Sequence, residues 1–465
     1  GITYAKGASV LKQLVAYVGL ENFLTGVRSY FDAHAWGNAT LGDLLTALER
    51  ASGRELASWS KAWLETAGVN TLRAVYETGD DGTFTAFSVA QEAPASHPEL
   101  RPHRIGIGLY QLTPDGLERT GRIEVDIAGA VTPIPRLAGT PRPDLVLVND
   151  DDLTYAKVRL DEHSLRSLIR ARGRFTGSLP AAICWTSSWD MVRDAEMPAR
   201  DFLTLVLAGA RYIRDINLLQ SVLRAADTSV RRFGNPARRQ AGTGQLAGGL
   251  RELMYDATPG SDYQLCFATS FTDIAADPAD LDLLAGLLDG SASVDGLAVD
   301  TELRWRLLRC LVSKGRAGEH EIEAELSRDD TDAGQRHAAR ARAAIPTAQA
   351  KEEAWNLIID GGLPSAVVRE TIMGFQDLDQ PALLAPYRER FFEAIGPRWE
   401  QWGDTGRFFA QVAYPVTDIS QEAVDFANAY LARPELPAAL RRLLAEGRDD
   451  VLRGLRCRER DALGT

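Results

Sequence analysis

The spacing of apolar residues changes twice along the chain. It is helical at the start, alternates with polar residues in a middle segment, and is helical again for the remainder. Side-chain direction repeats about every 3.6 residues in a helix and every second residue in a strand. The pattern therefore predicts a multidomain, mainly α-helical protein with helical residues 1–70, strand-rich residues 71–162 and helical residues 163–465.

The first part is predicted to contain four helices. The first helix ends at Gly19, a second covers residues 22–35, and a fourth ends before Gly68. Thr40 is a good N-cap for the third, because Asp43 then lies near the positive end of that helix. The predicted apolar stripes are Val10, Leu14, Tyr17 and Val18 in the first helix, Phe23, Val27, Tyr30 and Phe31 in the second, and Leu56, Trp59, Trp63 and Leu64 in the fourth.

The middle part alternates apolar and polar residues in short runs, of which residues 122–127 are the clearest. Gly, Asp, Asn and Pro cluster between the runs, as is typical of turns. Several short strands at this spacing predict a small β-sandwich. The last two runs, residues 145–148 and 154–160, are predicted to pair as a hairpin through a turn at residues 149–152.

The last part alternates helical patterns with short loops rich in Gly, Pro and Asp, without a sequence repeat of fixed period. Antiparallel helix pairs joined by short loops nevertheless predict an irregular, HEAT-like superhelical stack. Helices are predicted there over residues 301–313, 322–327, 350–360 and 422–431, among others.

Composition excludes some classes of partner. The net charge of −12 disfavours nucleic acid, because phosphate binding needs a concentrated positive field. The longest apolar stretches, such as residues 202–210, are too short to span a bilayer, so no membrane partner is predicted. The cysteines lie far apart and predict buried free thiols and a cytoplasmic protein; they are Cys184, Cys266, Cys310 and Cys457.

Segments in a fixed order resemble the aminopeptidase N family of zinc metallopeptidases, which are gluzincins. Residues 2–14 are similar to the helix that bears the family's catalytic tyrosine, and residues 23–69 to the closing helices of its thermolysin-like catalytic domain. Residues 149–160 resemble the junction of its β-sandwich with its helical domain, and residues 180–465 resemble the helical domain of actinobacterial members. The match depends most on Trp59, Trp63, Leu64, Gly68, Asp150, Asp151, Tyr155, Trp185–Met191, Glu325–Arg328, Asp330, Gly334–Arg342 and Leu440–Gly447.

The resemblance implies that Tyr4 is the catalytic tyrosine. In peptide hydrolysis the scissile carbonyl oxygen becomes an oxyanion, which a metal ion and a preorganised donor can stabilise. A phenol remains protonated at neutral pH and is a good O–H donor. A lone tyrosine at a helix start would ordinarily be interpreted as a packing residue, and the resemblance over the whole chain favours the catalytic role.

The sequence lacks the zinc-binding signature of the family. Members bind zinc through His-Glu-x-x-His and a Glu on the next helix, and bind the substrate's α-amino group through a Gly-x-Met-x-Asn segment with an extra Glu. The nearest approach starts at His320, but Ala324 replaces the second histidine, and we predict a solvated helix start there. No zinc is therefore predicted to bind this chain, and the missing N-terminal part of the same polypeptide is expected to supply the metal.

Three other segments resemble binding motifs only partly. Residues 242–248 contain the glycines of a phosphate loop without its Lys-Ser/Thr, and a loop between helices is predicted instead. Residues 149–152 are acidic like a calcium loop but lack its spaced Gly and terminal Glu. The arginines of residues 441–460 alternate with acidic residues, which predicts a solvated basic helix.

Two functions remain open from the sequence. The first is a fragment of a zinc-dependent aminopeptidase that removes N-terminal residues from peptides, active as the full-length protein and inactive as this chain alone. Its helical domain would cap the site and admit peptides rather than folded proteins. The alternative is a non-catalytic helical scaffold that binds peptides or proteins on a concave surface. The segment around Tyr4 favours the first.

Overall fold

The computed structural model describes residues 2–360, 362 and 364–463 of the chain. The chain forms two compact units, Gly1–Met191 with Ala208–Leu218, and Val192–Leu207 with Leu219–Thr465. The three-part division by secondary structure remains a prediction.

The first unit begins with four helices, α1 (Ile2–Val18), α2 (Leu20–Ala33), α3 (Leu41–Ser52) and α4 (Ala57–Leu64). Gly19 separates α1 from α2 with a φ of 87°, a conformation that glycine adopts without a steric penalty. Thr40 is the N-cap of α3, as the sequence predicted, and it also forms a reciprocal capping box with Asp43. The helices bury a common core of Val10, Leu14, Val18, Leu48, Leu56, Trp59 and Trp63.

The stripes predicted for α1 and α4 therefore lie largely in this core. Leu64 is the exposed member of the stripe predicted for α4, and Phe31 is an exposed member of the stripe predicted for α2.

Seven strands follow in the described chain: β1 (Thr71–Thr78), β2 (Phe84–Glu92), β3 (His103–Thr113), β4 (Gly116–Ile127), β5 (Val131–Pro133), β6 (Leu145–Asp150) and β7 (Lys157–Arg159). They form a four-stranded sheet of order β5-β2-β1-β7 and a three-stranded sheet of order β4-β3-β6. Only the β1–β7 pair among them is parallel. The period-two pattern thus predicted the strand-rich segment correctly.

The predicted hairpin of residues 145–148 and 154–160 is wrong. β6 pairs with β3, whereas β7 pairs with β1 in the other sheet, so the chain changes sheets between them. Asn149 directs the crossing, because its side chain accepts from the Thr154 N–H at 3.0 Å and donates to the Thr154 carbonyl at 3.1 Å. Asn149, Asp151 and Asp152 all have positive φ, which Asn and Asp tolerate better than most residues.

The remainder of the described chain is helical. Its helices are α5 (Glu162–Arg170), α6 (Ser178–Arg193), α7 (Ala199–Gly209), α8 (Ile216–Thr228), α9 (Arg239–Asp256), α10 (Asp262–Ile274), α11 (Pro278–Asp289), α12 (Thr301–Ser313), α13 (Glu319–Leu326), α14 (Asp332–Ala344), α15 (Ala348–Asp360), α16 (Ser365–Phe375), α17 (Pro381–Leu384), α18 (Tyr387–Trp402), α19 (Asp404–Val412), α20 (Gln421–Leu431) and α21 (Ala438–Ala462). A π-helical turn, Ser229–Phe233, extends α8. Consecutive helices such as α9 with α10 and α15 with α16 pack against each other.

The loop predicted over residues 242–248 is also wrong, since these glycines lie inside α9. At two positions on this helix the lack of a side chain permits close packing. A Cβ on Gly242 would lie 3.2 Å from Val230, and one on the neighbouring Gly249 would lie 2.4 Å from the Leu207 side chain. Packing within the second unit explains Gly242 and Gly249, whereas a Cβ on Gly248 would meet no atom within 4 Å.

The four cysteines are free and buried, as predicted. Burial raises the pKa of the Cys310 thiol to about 12 and those of Cys266 and Cys457 to about 11. Thiols with such values remain protonated and unreactive at neutral pH.

No helix in the described ranges is both long enough and apolar enough to cross a membrane.

Candidate functional site

Tyr4 lies in the first turn of α1, and 87% of its surface is exposed. The helix holds it there because Val10, Leu14 and Val18, further along the same element, are buried in the core of the first unit. A rigid helix therefore presents the phenol to the surroundings, where a group outside the described chain can reach it.

Two adjacent residues attach α1 to the sheets. Gln13 is fully buried, and its amide both accepts from the Arg104 N–H at 3.2 Å and donates to the Arg104 carbonyl at 3.4 Å. Arg104 belongs to β3, so the Gln13 side chain binds the edge of that strand much as another strand would. Lys12 adds a hydrogen bond of 3.0 Å to the Asp151 carbonyl and an ion pair of 3.6 Å with Asp152.

The end of the helical segment is attached to the strands by Arg101. Its guanidinium donates to the carbonyls of Ala62 and Ala67 and to the side chains of Thr66 and Asn70, at 2.6 to 3.2 Å. Arg101 is 3% exposed, and burial lowers the pKa of its guanidinium. α4 and the turn after it are thereby fixed against the sheet that contains β1.

The histidines do not gather into a metal site. His103 is buried between Gln91 and Thr154, at 2.9 and 2.8 Å, and burial followed by the charge of Arg101 lowers its pKa to about 3. The imidazole of His103 is therefore neutral, and both of its nitrogens already take part in hydrogen bonds. His320 is exposed in the first turn of α13 beside Glu321, which confirms the predicted solvated helix start.

Among the residues that the structure describes, no group of three or more His, Cys, Asp or Glu side chains could hold a metal ion. The zinc implied by the resemblance therefore has no ligand set here.

Large apolar side chains are exposed near Tyr4 in the sequence. They lie on α1, on α2, in the connection between α2 and α3 and at the start of α3, and most of their neighbours along the chain are half-buried or exposed. We call them the exposed N-terminal set: Leu11, Leu20, Leu24, Phe31, Trp36 and Leu41. A concentration of exposed apolar residues is typical of a surface that another polypeptide covers.

The second unit contains an ionic cleft of about 250 Å³ that the sequence did not reveal. Arg231 pairs with Asp377 at 3.4 Å and with Asp379 at 3.2 Å. Burial alone would raise the pKa of Asp379, but the charges of Arg231, Lys314 and Arg239 hold it below its usual value. These residues come from three separate segments of the chain, residues 231–239, 314 and 377–379, and each resembles an ordinary surface charge in the sequence.

The basic helix prediction is also partly wrong. Asp461 on α21 is 2% exposed and accepts from the backbone N–H groups of Arg200 at 3.0 Å and Asn235 at 2.8 Å. Arg458 on the same helix donates to the carbonyls of Arg232 and Ile419. The available signal was the helical spacing of Val451, Gly454, Cys457 and Asp461, which form one buried face.

Two parts of the chain match families of known proteins. Residues 145–453 match the ERAP1-like C-terminal domain family, and residues 1–63 match the peptidase family M1 domain. An aminopeptidase N of Streptomyces lividans is 50% identical over 471 residues, covering 99% of this chain and 55% of that protein. The chain thus spans about half the length of this relative.

Other relatives match over shorter stretches. The tricorn protease-interacting factor F2 of Thermoplasma volcanium is 42% identical over 72 residues, which are 16% of this chain and 9% of that protein. Aminopeptidase M1 of Arabidopsis thaliana is 36% identical over 110 residues, which are 24% of this chain and 12% of that protein. The chain therefore belongs to the ERAP1-like C-terminal domain family, and its matches follow the order found in the C-terminal part of an actinobacterial aminopeptidase N.

Proposed function

We propose that this chain is part of a zinc-dependent aminopeptidase that removes N-terminal residues from peptides. The supporting observation is that residues 1–63, with Tyr4 exposed on α1, match the peptidase family M1 domain, while a relative named aminopeptidase N is 50% identical over 99% of the chain. The non-catalytic scaffold is not favoured by these relatives.

Tyr4 is the residue of this chain that we propose to act in the reaction. Its phenolic O–H donates a hydrogen bond to the scissile carbonyl oxygen as negative charge develops there. Its position on a helix that is attached to the sheets by Lys12 and Gln13 makes this donor preorganised. Zinc and the binding of the substrate's α-amino group are assigned to the N-terminal part of the same polypeptide.

The exposed N-terminal set supports this division of roles. In our proposal the N-terminal part of the polypeptide covers these side chains and completes a thermolysin-like catalytic domain. Residues 71–162 then form the β-sandwich, and residues 163–465 form a HEAT-like domain that limits substrates to peptides. We place the complete enzyme in the cytoplasm.

The role of Tyr4 is tested in the full-length protein with the substitution Tyr4→Phe. We expect release of a fluorogenic amide from an aminoacyl substrate to fall by about 10²–10³-fold, as for other lost oxyanion donors. Zinc content should stay unchanged, since Tyr4 is not a proposed ligand. The matched control is Tyr255→Phe on α9, an exposed tyrosine outside the proposed site. An unaltered rate for Tyr4→Phe would remove Tyr4 from the mechanism.

The need for the N-terminal part is tested separately. The 465-residue chain with added zinc is expected to show no turnover of the same substrate, and the full-length protein to be active. Turnover by the chain alone would refute the assignment of the metal site to the rest of the polypeptide.

A further inference from the structure

A second cavity in the second unit, of about 410 Å³, has an aromatic floor. The floor consists of Trp355, Phe375 and Tyr387, each at most 7% exposed. Tyr387 lies against the other two rings, with centroids 5.4 Å from Trp355 and 4.9 Å from Phe375. We call this cavity of about 410 Å³ the aromatic cavity. Its size is within the range of roughly 300–1,000 Å³ typical of small-molecule sites.

Three arginines line the aromatic cavity, namely Arg239, Arg388 and Arg458, and Arg239 already pairs with Asp379 at 3.7 Å. Arg458 donates only to backbone carbonyls, those of Arg232 at 2.9 Å and Ile419 at 2.8 Å. Burial and the positive charges of Arg239 and Arg232 lower its pKa to about 10. The buried Nε of Arg388 has no hydrogen-bond partner in the described structure. Arg458 is partly buried and forms no ion pair in the described structure, and such a guanidinium favours the entry of an anion.

The cavity also contains negative charge. Asp418 pairs with Arg388 at 2.6 Å and accepts from the Ser420 hydroxyl at 2.7 Å. Glu422, in the first turn of α20, is an exposed carboxylate at the rim. The lining thus offers cations, carboxylates and an aromatic surface together.

We propose that the aromatic cavity binds a free amino acid with an apolar side chain. The carboxylate faces Arg239 and Arg458, the ammonium group faces Glu422 and Asp418, and the side chain lies on the aromatic floor. A simple anion such as phosphate would leave the floor and Glu422 unused, and a neutral apolar molecule would leave Arg458 without a carboxylate partner. A zwitterion with an apolar side chain makes use of all three features.

Such amino acids are the products that an aminopeptidase releases, so the occupancy of the cavity would rise with product concentration. This link rests on the proposed function, whereas binding itself does not. Binding measured with the 465-residue chain therefore tests the cavity independently of catalysis. If the protein is not an aminopeptidase, observed binding still supports the cavity, and if no amino acid binds, the proposed enzymatic function is unaffected.

The ligand class is tested by isothermal titration of the 465-residue chain with four probes. L-phenylalanine should bind saturably at one site per chain. L-phenylalaninamide, which lacks the carboxylate, should bind at least tenfold more weakly, and N-acetyl-L-phenylalanine, which lacks the ammonium group, should also bind more weakly. Inorganic phosphate should not displace L-phenylalanine. The absence of saturable L-phenylalanine binding would overturn the proposal, and equal binding of N-acetyl-L-phenylalanine would overturn the zwitterion assignment.

The location is tested by substitution. Glu422→Gln, at an exposed position, should weaken L-phenylalanine binding about threefold, as for an exposed ionic contact, and leave N-acetyl-L-phenylalanine unchanged. Arg458→Gln should weaken both ligands at least tenfold. Arg458 also donates to two backbone carbonyls, so Arg458→Gln could prevent folding. In that case Arg239→Gln is the arginine variant that is measured. Glu446→Gln, exposed on α21 outside the cavity, is the control. Unchanged affinity in Glu422→Gln and in the arginine variant would refute this location.

Discussion

At the residue scale, Lys351 is unusual because its side chain is fully buried. Its ammonium group donates to the carbonyls of Ala343 at 2.6 Å and Phe375 at 3.4 Å. These carbonyls lie at the C-terminal ends of α14 and α16, where the helix dipole is negative. One cation therefore satisfies two helix ends, and it lies 5.7 Å from the centre of the Phe375 ring.

We expect Lys351→Ala to lower the free energy of unfolding by about 2–4 kcal/mol. The change removes the Lys351 donor from the Ala343 carbonyl and leaves a void where the aliphatic chain was, whereas the Phe375 carbonyl still accepts from the Asp377 N–H at 3.0 Å. Urea denaturation followed by circular dichroism measures the effect. Lys61→Ala, at an exposed position on α4, is the control and should change stability by no more than about 0.5 kcal/mol. A Lys351→Ala variant as stable as the parent would contradict this account.

Lys351 also predicts a pH dependence of stability. Burial lowers its pKa from 10.5 to about 8, although the charge of Asp377 acts in the opposite direction. Between these two values the unfolded chain binds more protons than the folded one, so the contribution of this residue to stability rises with pH. Relative to Lys351→Met, the parent should gain about 1–2 kcal/mol between pH ~8 and ~9.5. A difference that stays constant or falls over this range would contradict the assignment.

At the scale of elements, the position of α1 depends on Gln13 and its two hydrogen bonds to β3. We expect Gln13→Leu to destabilise the chain by about 1–3 kcal/mol, because the Arg104 N–H and carbonyl lose their partners. In the proposed full-length enzyme the same change should lower kcat, because the helix that carries Tyr4 loosens. Zinc content should be retained, because Gln13 is not a proposed ligand. Gln349→Leu, exposed on α15, is the control. An unchanged kcat would limit Gln13 to a structural role.

The helices of the first unit were predictable because burial there follows local periodicity. Val10, Leu14 and Val18 repeat at helical spacing and do face the core. The β6–β7 hairpin was not predictable, because nothing in residues 149–152 distinguishes a tight turn from a crossing between sheets. The crossing is set by the Asn149–Thr154 hydrogen bonds and by the parallel pairing of β7 with β1, which are tertiary features.

At the scale of the whole molecule, the candidate sites differ in how far the sequence could reveal them. Tyr4 was found through resemblance of a continuous segment, and its exposure is compatible with the proposed role. The ionic cleft and the aromatic cavity bring together residues more than a hundred positions apart, such as Arg239 and Arg458. No local pattern encodes such a meeting, so these sites emerged only from the three-dimensional structure.

The exposed N-terminal set presents apolar side chains to the solvent in the 465-residue chain. Exposed apolar side chains concentrated in one segment favour association with other apolar surfaces. We expect the 465-residue chain to self-associate as its concentration rises, and the double substitution Leu24→Gln and Phe31→Gln on α2 to reduce this association in sedimentation velocity experiments. Leu357→Gln on α15 removes an exposed leucine outside the set and should leave association unchanged. If association depends on the exposed N-terminal set, only the double variant should reduce it, because Leu357 lies outside the first 41 residues. An equal reduction by Leu357→Gln would show that general surface hydrophobicity causes the association.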